Sequence, residues 1–103
     1  MSKISVTKKK ENETLTVFAE GRIDTSTSTE FENSVKHELE GITQLRLDLE
    51  DLSYISSSGL RVLLNLHKSM EAKGGKLTVL KPTKIVSEVF NASGFVNVLN
   101  IEQ

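Results

Sequence analysis

The chain has 103 residues, 37% hydrophobic and 26% charged, with a formal net charge of −1, so a single globular domain over 1–103 is expected rather than a disordered chain. That charge supplies no basic excess to hold a phosphate backbone, which argues against nucleic acid as a direct partner; the cationic run Lys8-Lys9-Lys10 is followed closely by Glu11 and Glu13 and reads as a solvated strand end. The absence of cysteine excludes disulfides, thiolate metal sites and a cysteine nucleophile, while the absence of a ~18–20-residue apolar run, or of an apolar signal-peptide core in Met1-Ser2-Lys3-Ile4-Ser5, points to a cytoplasmic protein without membrane insertion.

Two strands open the chain. Ile4 and Val6 alternate with polar neighbours, as do Leu15, Val17 and Ala19, and Lys10-Glu11-Asn12-Glu13 is polar enough to turn a hairpin between them. Gly21 ends or bulges the second strand. A helix is expected over 25–40, with Thr27/Glu30 or Thr29/Glu32 as capping box, an apolar stripe of Phe31, Val35 and Leu39, and Gly41 as its stop. The clearest strand is 44–50, where Leu45, Leu47 and Leu49 face one way and Arg46, Asp48 and Glu50 the other, the pattern of a sheet covered on one face. A second helix runs from about Ser58 to Ala72, with apolar stripes wide enough to meet both a sheet and a neighbouring helix, and Gly74-Gly75 stops it. Lys76–Leu80 is a further strand. Pro82 opens a third helix that Gly94 closes, and Phe95, Val98, Leu99 and Ile101 finish the chain as a turn or short strand. Strands separated by helices imply parallel pairs joined by right-handed crossovers.

The segment Tyr54-Ile55-Ser56-Ser57-Ser58-Gly59-Leu60 lies where a strand region feeds the second helix. Serine is a preferred N-cap because its oxygen accepts a bond from a free N–H of the first turn, and one cap does not require three serines. A phosphoryl group is physically suited to this position, since a helix N-terminus offers free N–H groups and positive potential to a modification carrying about −1.5 to −2 charges. Arg61, one turn into the helix, is within reach of such a group. A hydrolase elbow lacks its G-x-S-x-G context, and a phosphate loop lacks its Gly-Lys-Ser/Thr. Local chemistry therefore leaves a simple cap and a modified switch both open, with catalysis the poorest fit.

At these residues the chain resembles the STAS domain, in particular the stand-alone bacterial anti-sigma-factor antagonists. Gly21-Arg22-Ile23-Asp24, the stretch from Leu47 to Ile55, Ser57-Ser58-Gly59-Leu60, and Phe90-Asn91-Ala92-Ser93-Gly94-Phe95 resemble four family segments in the right order. The resemblance implies an α/β fold with a four- to five-stranded mixed sheet and helices packed mainly on one face. It implies a non-enzymatic binding module. In such antagonists an anti-sigma factor with serine kinase activity phosphorylates the serine two before the glycine, here Ser57. The unphosphorylated form binds the anti-sigma factor and frees the sigma factor, and a PP2C-type phosphatase restores that form. ATP and Mg²⁺ belong to the kinase, so this chain needs no cofactor. The partner-binding residues expected by the same comparison are Asp24, Thr25, Ser26, Ser56, Ser57, Ser58, Gly59, Leu60 and Arg61. One position departs from the family: Ser56 stands where Asp is common. That removes a negative charge beside the acceptor and adds a second hydroxyl in competition with it. The alternative is a STAS interaction module without a phosphoserine cycle, in a signalling or lipid-transport assembly.

Several other residues take structural readings. Asp24 either caps the first helix or lines the partner surface. His37 reads as solvent-facing and His67 as part of an apolar stripe; two histidines fall short of a zinc site's three or four ligands. Asp48 and Glu50 belong to a solvated strand face, and Phe90 and Phe95 to helix-end packing.

Overall fold

A computed structural model describes residues 3–103; Met1 and Ser2 of the N-terminal stretch considered above lie outside the described residues. The elements run β1 (Ile4–Glu11), β2 (Thr14–Ile23), α1 (Ser28–Lys36), β3 (Gln44–Asp48), β4 (Leu52–Ile55), α2 (Ser57–Ala72), β5 (Lys76–Leu80), α3 (Lys84–Ser93), a 3₁₀ turn (Phe95–Asn97) and β6 (Asn100–Glu102). The sheet order is β1-β2-β3-β5-β6, with β4 pairing β2 beyond the end of β3. β1 is antiparallel to β2 and every other pairing is parallel, so the sheet is mixed, as expected, and it has six strands.

Topology decides where the helices go. Each helix links a strand to a parallel strand lying further along the same direction of the sheet, and right-handed crossovers then place all three helices on one face. Burial agrees with this. Leu15, Leu45 and Leu77 sit side by side across three strands, and Val17, Leu47 and Val79 form the next row, all at most 1% exposed. Against these rows pack Phe31 and Val35 of α1, Leu63, Leu66 and Met70 of α2, and Val86 and Phe90 of α3. Each such side chain contributes roughly 1.5–3 kcal/mol on leaving water, so this single layer of contacts is the main source of stability. The molecule measures 34 × 31 × 20 Å, the thickness of one sheet and one helix layer.

Five boundaries differ from the sequence reading, each for a local reason. The hairpin turn is only Asn12-Glu13, because Asn12 adopts a left-handed φ of 57° and lets pairing run to Glu11 and Thr14. Helix α1 starts three residues late, because the Asp24 carbonyl accepts from Thr27 N and Ser28 N at 3.1 and 2.8 Å and closes a turn first. It also stops at Lys36, not at Gly41; further turns then lower Leu39 onto the core and bury Ile42 before β3. Pro82 precedes α3 by two residues: Thr83 is its N-cap, accepting from Val86 N at 3.3 Å and donating to the Leu52 carbonyl at 3.0 Å, which ties α3 to β4.

The fifth difference positions the site. β3 ends at Asp48, whose Oδ1 accepts from Glu50 N at 3.0 Å, and after this turn the chain pairs again as β4. β2 reaches β4 through a bulge at Gly21, where the register shifts between Gly21 and Arg22. Gly21 has φ 109°, and a Cβ there would run into the Lys3 carbonyl, so glycine is required for β2 to serve both β1 and β4.

Candidate functional site

β4 delivers the chain to the three serines. Ser56 N donates to the Ile23 carbonyl at 2.9 Å, extending the β2–β4 ladder by one bond, and the Ser56 carbonyl accepts from Leu60 N at 2.9 Å as the first helical bond of α2. Its side chain accepts from Gly59 N at 3.3 Å, so Ser56 is the N-cap. The hydroxyl that stands in place of the family's carboxylate is thus engaged in starting the helix. Ser57, the first helical residue, is exposed, and its hydroxyl has no partner among the described residues. Ser58 turns toward the neighbouring loop, its Oγ 3.4 Å from Thr25 Oγ1. Of the three, Ser57 is the one presented to solvent.

Gly59 fixes this presentation. A Cβ at position 59 would lie 2.6 Å from Ile55 Cγ1, 2.8 Å from Ile23 Cγ2 and 3.0 Å from the Ile23 carbonyl. Only a glycine allows α2 to begin that close to the ends of β2 and β4. Leu60 is 6% exposed and belongs to the core. Gly59 and Leu60 therefore lie beneath the surface and act on it by setting the height and direction of α2.

The loop after β2 is organised by Asp24. Its Oδ1 accepts from Ser26 N at 3.0 Å and from Ser26 Oγ at 2.8 Å, and its Oδ2 accepts from Arg22 Nε at 3.2 Å. The Ser26 hydroxyl, with the Ser26 amide and the Arg22 charge, pushes the Asp24 carboxyl down to about 2. Thr27 is the N-cap of α1 by position, but its hydroxyl is turned back, accepting from Asp24 N at 2.9 Å and donating to the Arg22 carbonyl at 2.8 Å, so it makes no bond into the helix. Asp24 is thus a loop-builder. It leaves Thr25 and Ser26 exposed beside the α2 N-terminus. Between α1 and α2 a polar cleft of about 300 Å³ opens, lined by Thr25, Ser28, Glu32, Ser58, Arg61 and Asn65 among others. Arg61 is exposed at its wall, one helical turn from Ser57.

The sequence reading missed one pair at this surface. Arg22 on β2 and Tyr54 on β4 are register partners, and the guanidinium lies 5.0 Å from the ring centroid. Tyr54 is 38% exposed two residues before Ser56. The short run Leu52-Ser53-Tyr54-Ile55, apolar at both ends, was the available signal, but its burial does not alternate and a four-residue strand carries little periodicity.

The remaining candidates fall elsewhere. His37 is exposed at the end of α1. His67 is buried on α2 with Nε2 3.4 Å from Glu71 Oε1. Among the described residues no group of three or more His, Asp or Glu side chains is placed to hold a metal ion. Glu50 pairs with Lys81 at 3.7 Å, the Asp51 carbonyl accepts from Gly21 N at 3.2 Å, and Phe90 is in the core with Phe95 packed against it. No helix among the described residues is long and apolar enough to cross a membrane.

A mixed six-stranded sheet covered on one face by three helices, with a serine-led helix rising from a bulged strand pair, defines a small α/β domain class. The chain belongs to the STAS domain family, which it matches over residues 5–103. It is 26% identical over 97 residues to the anti-sigma-B factor antagonist of Listeria monocytogenes, covering 92% of this chain and 84% of that protein. It is 39% identical over 61 residues to BtrV of Bordetella bronchiseptica, named as a candidate anti-sigma factor antagonist; that match covers 59% of this chain and just over half, 53%, of BtrV. Among solved structures, the anti-sigma factor antagonist SpoIIAA in its unphosphorylated form superposes with a TM-score of 0.82 at 22% identity, over 96% of this chain and 89% of SpoIIAA. The phosphorylated form of SpoIIAA from Bacillus superposes with a TM-score of 0.74 at 20% identity, over 96% and 92% of the two chains. At these identities the superpositions establish the fold.

Proposed function

We propose that this chain is a cytoplasmic anti-sigma-factor antagonist: unphosphorylated, it binds an anti-sigma factor with serine kinase activity and so releases a sigma factor, and phosphorylation of Ser57 by that partner switches the binding off. The observation that carries this reading is the division of labour among the three serines. Ser56 caps α2, Ser58 faces Thr25, and Ser57 alone is exposed with an unpartnered hydroxyl at a helix N-terminus. The names borne by the Listeria and Bordetella relatives support the same reading.

The partner surface we assign comprises Ser57 with Thr25, Ser26 and Arg61, underlain by Asp24, Ser56, Ser58, Gly59 and Leu60, which hold it in shape. A phosphoryl group on Ser57 would meet the positive end of α2 and stand within a turn of Arg61, so the domain stays folded while the surface gains negative charge. In this reading ATP, Mg²⁺ and phosphoryl transfer belong to the kinase, and a PP2C-type phosphatase resets the switch.

The test is phosphorylation by the purified cognate kinase with ATP. Wild type incorporates one phosphate and Ser57→Ala none. Equal incorporation by the alanine variant would move the acceptor to Ser56 or Ser58 and overturn the assignment.

A further inference from the structure

The face of the sheet opposite the helices has a charge pattern of its own. Strand register places Lys9, Thr16, Arg46, Thr78 and Asn100 in one row across β1, β2, β3, β5 and β6. The next row is Thr7, Phe18, Asp48, Leu80 and Glu102, and beyond it stand Ser5 and Glu20. Within these rows the charges are sorted along the strand axis, Lys9 and Arg46 on one side and Asp48, Glu102 and Glu20 on the other, while the row before Lys9 (Glu11, Thr14, Gln44 and Lys76) carries one charge of each sign. None of these seven charges forms an ion pair among the described residues, whose ion pairs lie elsewhere. In their midst Phe18, on an interior strand, is 41% exposed. All three crossover helices lie on the opposite face, so no helix covers this one, although Thr78 and Leu80 within it are only 5% and 9% exposed.

A face whose basic and acidic rows lie side by side is complementary to itself. A two-fold axis in the plane of contact, perpendicular to the strands and passing between the two rows, reverses the strand direction while keeping β3 over β3. Arg46 of each copy then lies over Asp48 of the other, the basic row meets the acidic row, and each Phe18 is covered by the second sheet. Face-to-face sheets with closely aligned strands are a standard packing, ~10 Å apart. We propose that the helix-free face of the sheet is a self-association surface, through which two copies form an isologous dimer held by reciprocal Arg46–Asp48 pairs around Phe18.

The size of the face sets the strength. Five strands ~4.8 Å apart and ~20 Å long present roughly 500 Å² per copy, about 1,000 Å² for the pair. That is the lower end of specific interfaces, so the dimer is reversible and is favoured at high concentration and low salt. The switch helix is on the other layer, so this association is independent of the proposed phosphorylation, and its failure would leave that reading intact.

Sedimentation velocity from ~10 μM to ~1 mM tests the proposal, with circular dichroism checking that each variant is folded. Wild type is expected to shift from monomer to dimer, and 0.5 M salt to reverse the shift. Arg46→Asp alone and Asp48→Lys alone should each weaken dimerisation at least tenfold. An equimolar mixture of the two variants should restore it, because both cross-pairs are then again of opposite sign. Because the Asp48 carboxylate also holds the β3–β4 turn, Phe18→Ser, at an exposed position, is a second probe and should likewise dissociate the dimer. Wild type that stays monomeric throughout, leaving the face to some other partner, would overturn the proposal. So would a dimer unaffected by Arg46→Asp and Phe18→Ser, or variants that fold but fail to pair when mixed.

Discussion

Replacing Gly59 with Ala should destabilise the domain even though the position is helical. In an exposed helix interior, Gly→Ala stabilises by ~1 kcal/mol. Here the added methyl meets Ile55 Cγ1 at 2.6 Å, Ile23 Cγ2 at 2.8 Å and the Ile23 carbonyl at 3.0 Å. Ile23 and Ile55 are 0% and 1% exposed, β-branched and locked in neighbouring strands, so neither can swing aside. Overpacking costs roughly 1–3 kcal/mol, and with three contacts at or below 3.0 Å against immobile groups the upper part of that range, about 2–3 kcal/mol, applies, so after the propensity gain the net loss is about 1–2 kcal/mol. In a domain of this size that lowers Tm by roughly 5–10 °C. Urea denaturation followed by circular dichroism measures it directly. Because relief of the clash requires α2 to lift from the β2–β4 ends, the rate of phosphorylation at Ser57 should fall as well. A Gly59→Ala protein as stable as wild type, or more so, would refute the claim that glycine sets the seat of the switch helix.

Two further outcomes follow from the cap and the loop. Ser56→Ala should cost about 1 kcal/mol in chemical denaturation by removing the bond to Gly59 N, while Ser56→Asp, which also caps, should stay within about 0.5 kcal/mol of wild type. Asp24 titrates well below the ordinary carboxylate range when folded, so its contribution to stability is fully present above pH ~4 and is lost as the pH falls toward 2. Thermal melts of wild type and Asp24→Asn between pH 5 and pH 2 should therefore converge on acidification; a gap that persists unchanged at pH 2 would show that the carboxylate's charge is not what holds the loop.

The helix-covered sheet was legible because alternation of the kind seen at Leu45, Leu47 and Leu49 reports burial on one face, and because the apolar stripes of the second and third helices are long. The boundaries were less so. Helix α1 was overextended because Leu39 continues the stripe of Phe31 and Val35, and periodicity alone does not distinguish a helical residue from one lowered onto the core by turns. β4 was missed as a strand because four residues following an Asx turn carry no clear period. At the site, the serine cluster was readable but not the allocation of roles. Which serine caps depends on where β4 stops, and that is set by the bulge at Gly21, far away in sequence. For the same reason Arg22 and Tyr54 went unpaired until the strands were in register. The charge rows of the open face were invisible for a simpler reason: they exist only across strands.

The central claim is that the charge state of Ser57 decides whether a partner binds. The direct measurement is calorimetric titration of the cognate anti-sigma factor with unphosphorylated protein and with protein stoichiometrically phosphorylated at Ser57. Introducing the phosphoryl group into a buried contact should weaken binding by about 1–3 kcal/mol, roughly 5- to 150-fold. Equal affinities for the two forms would contradict the account.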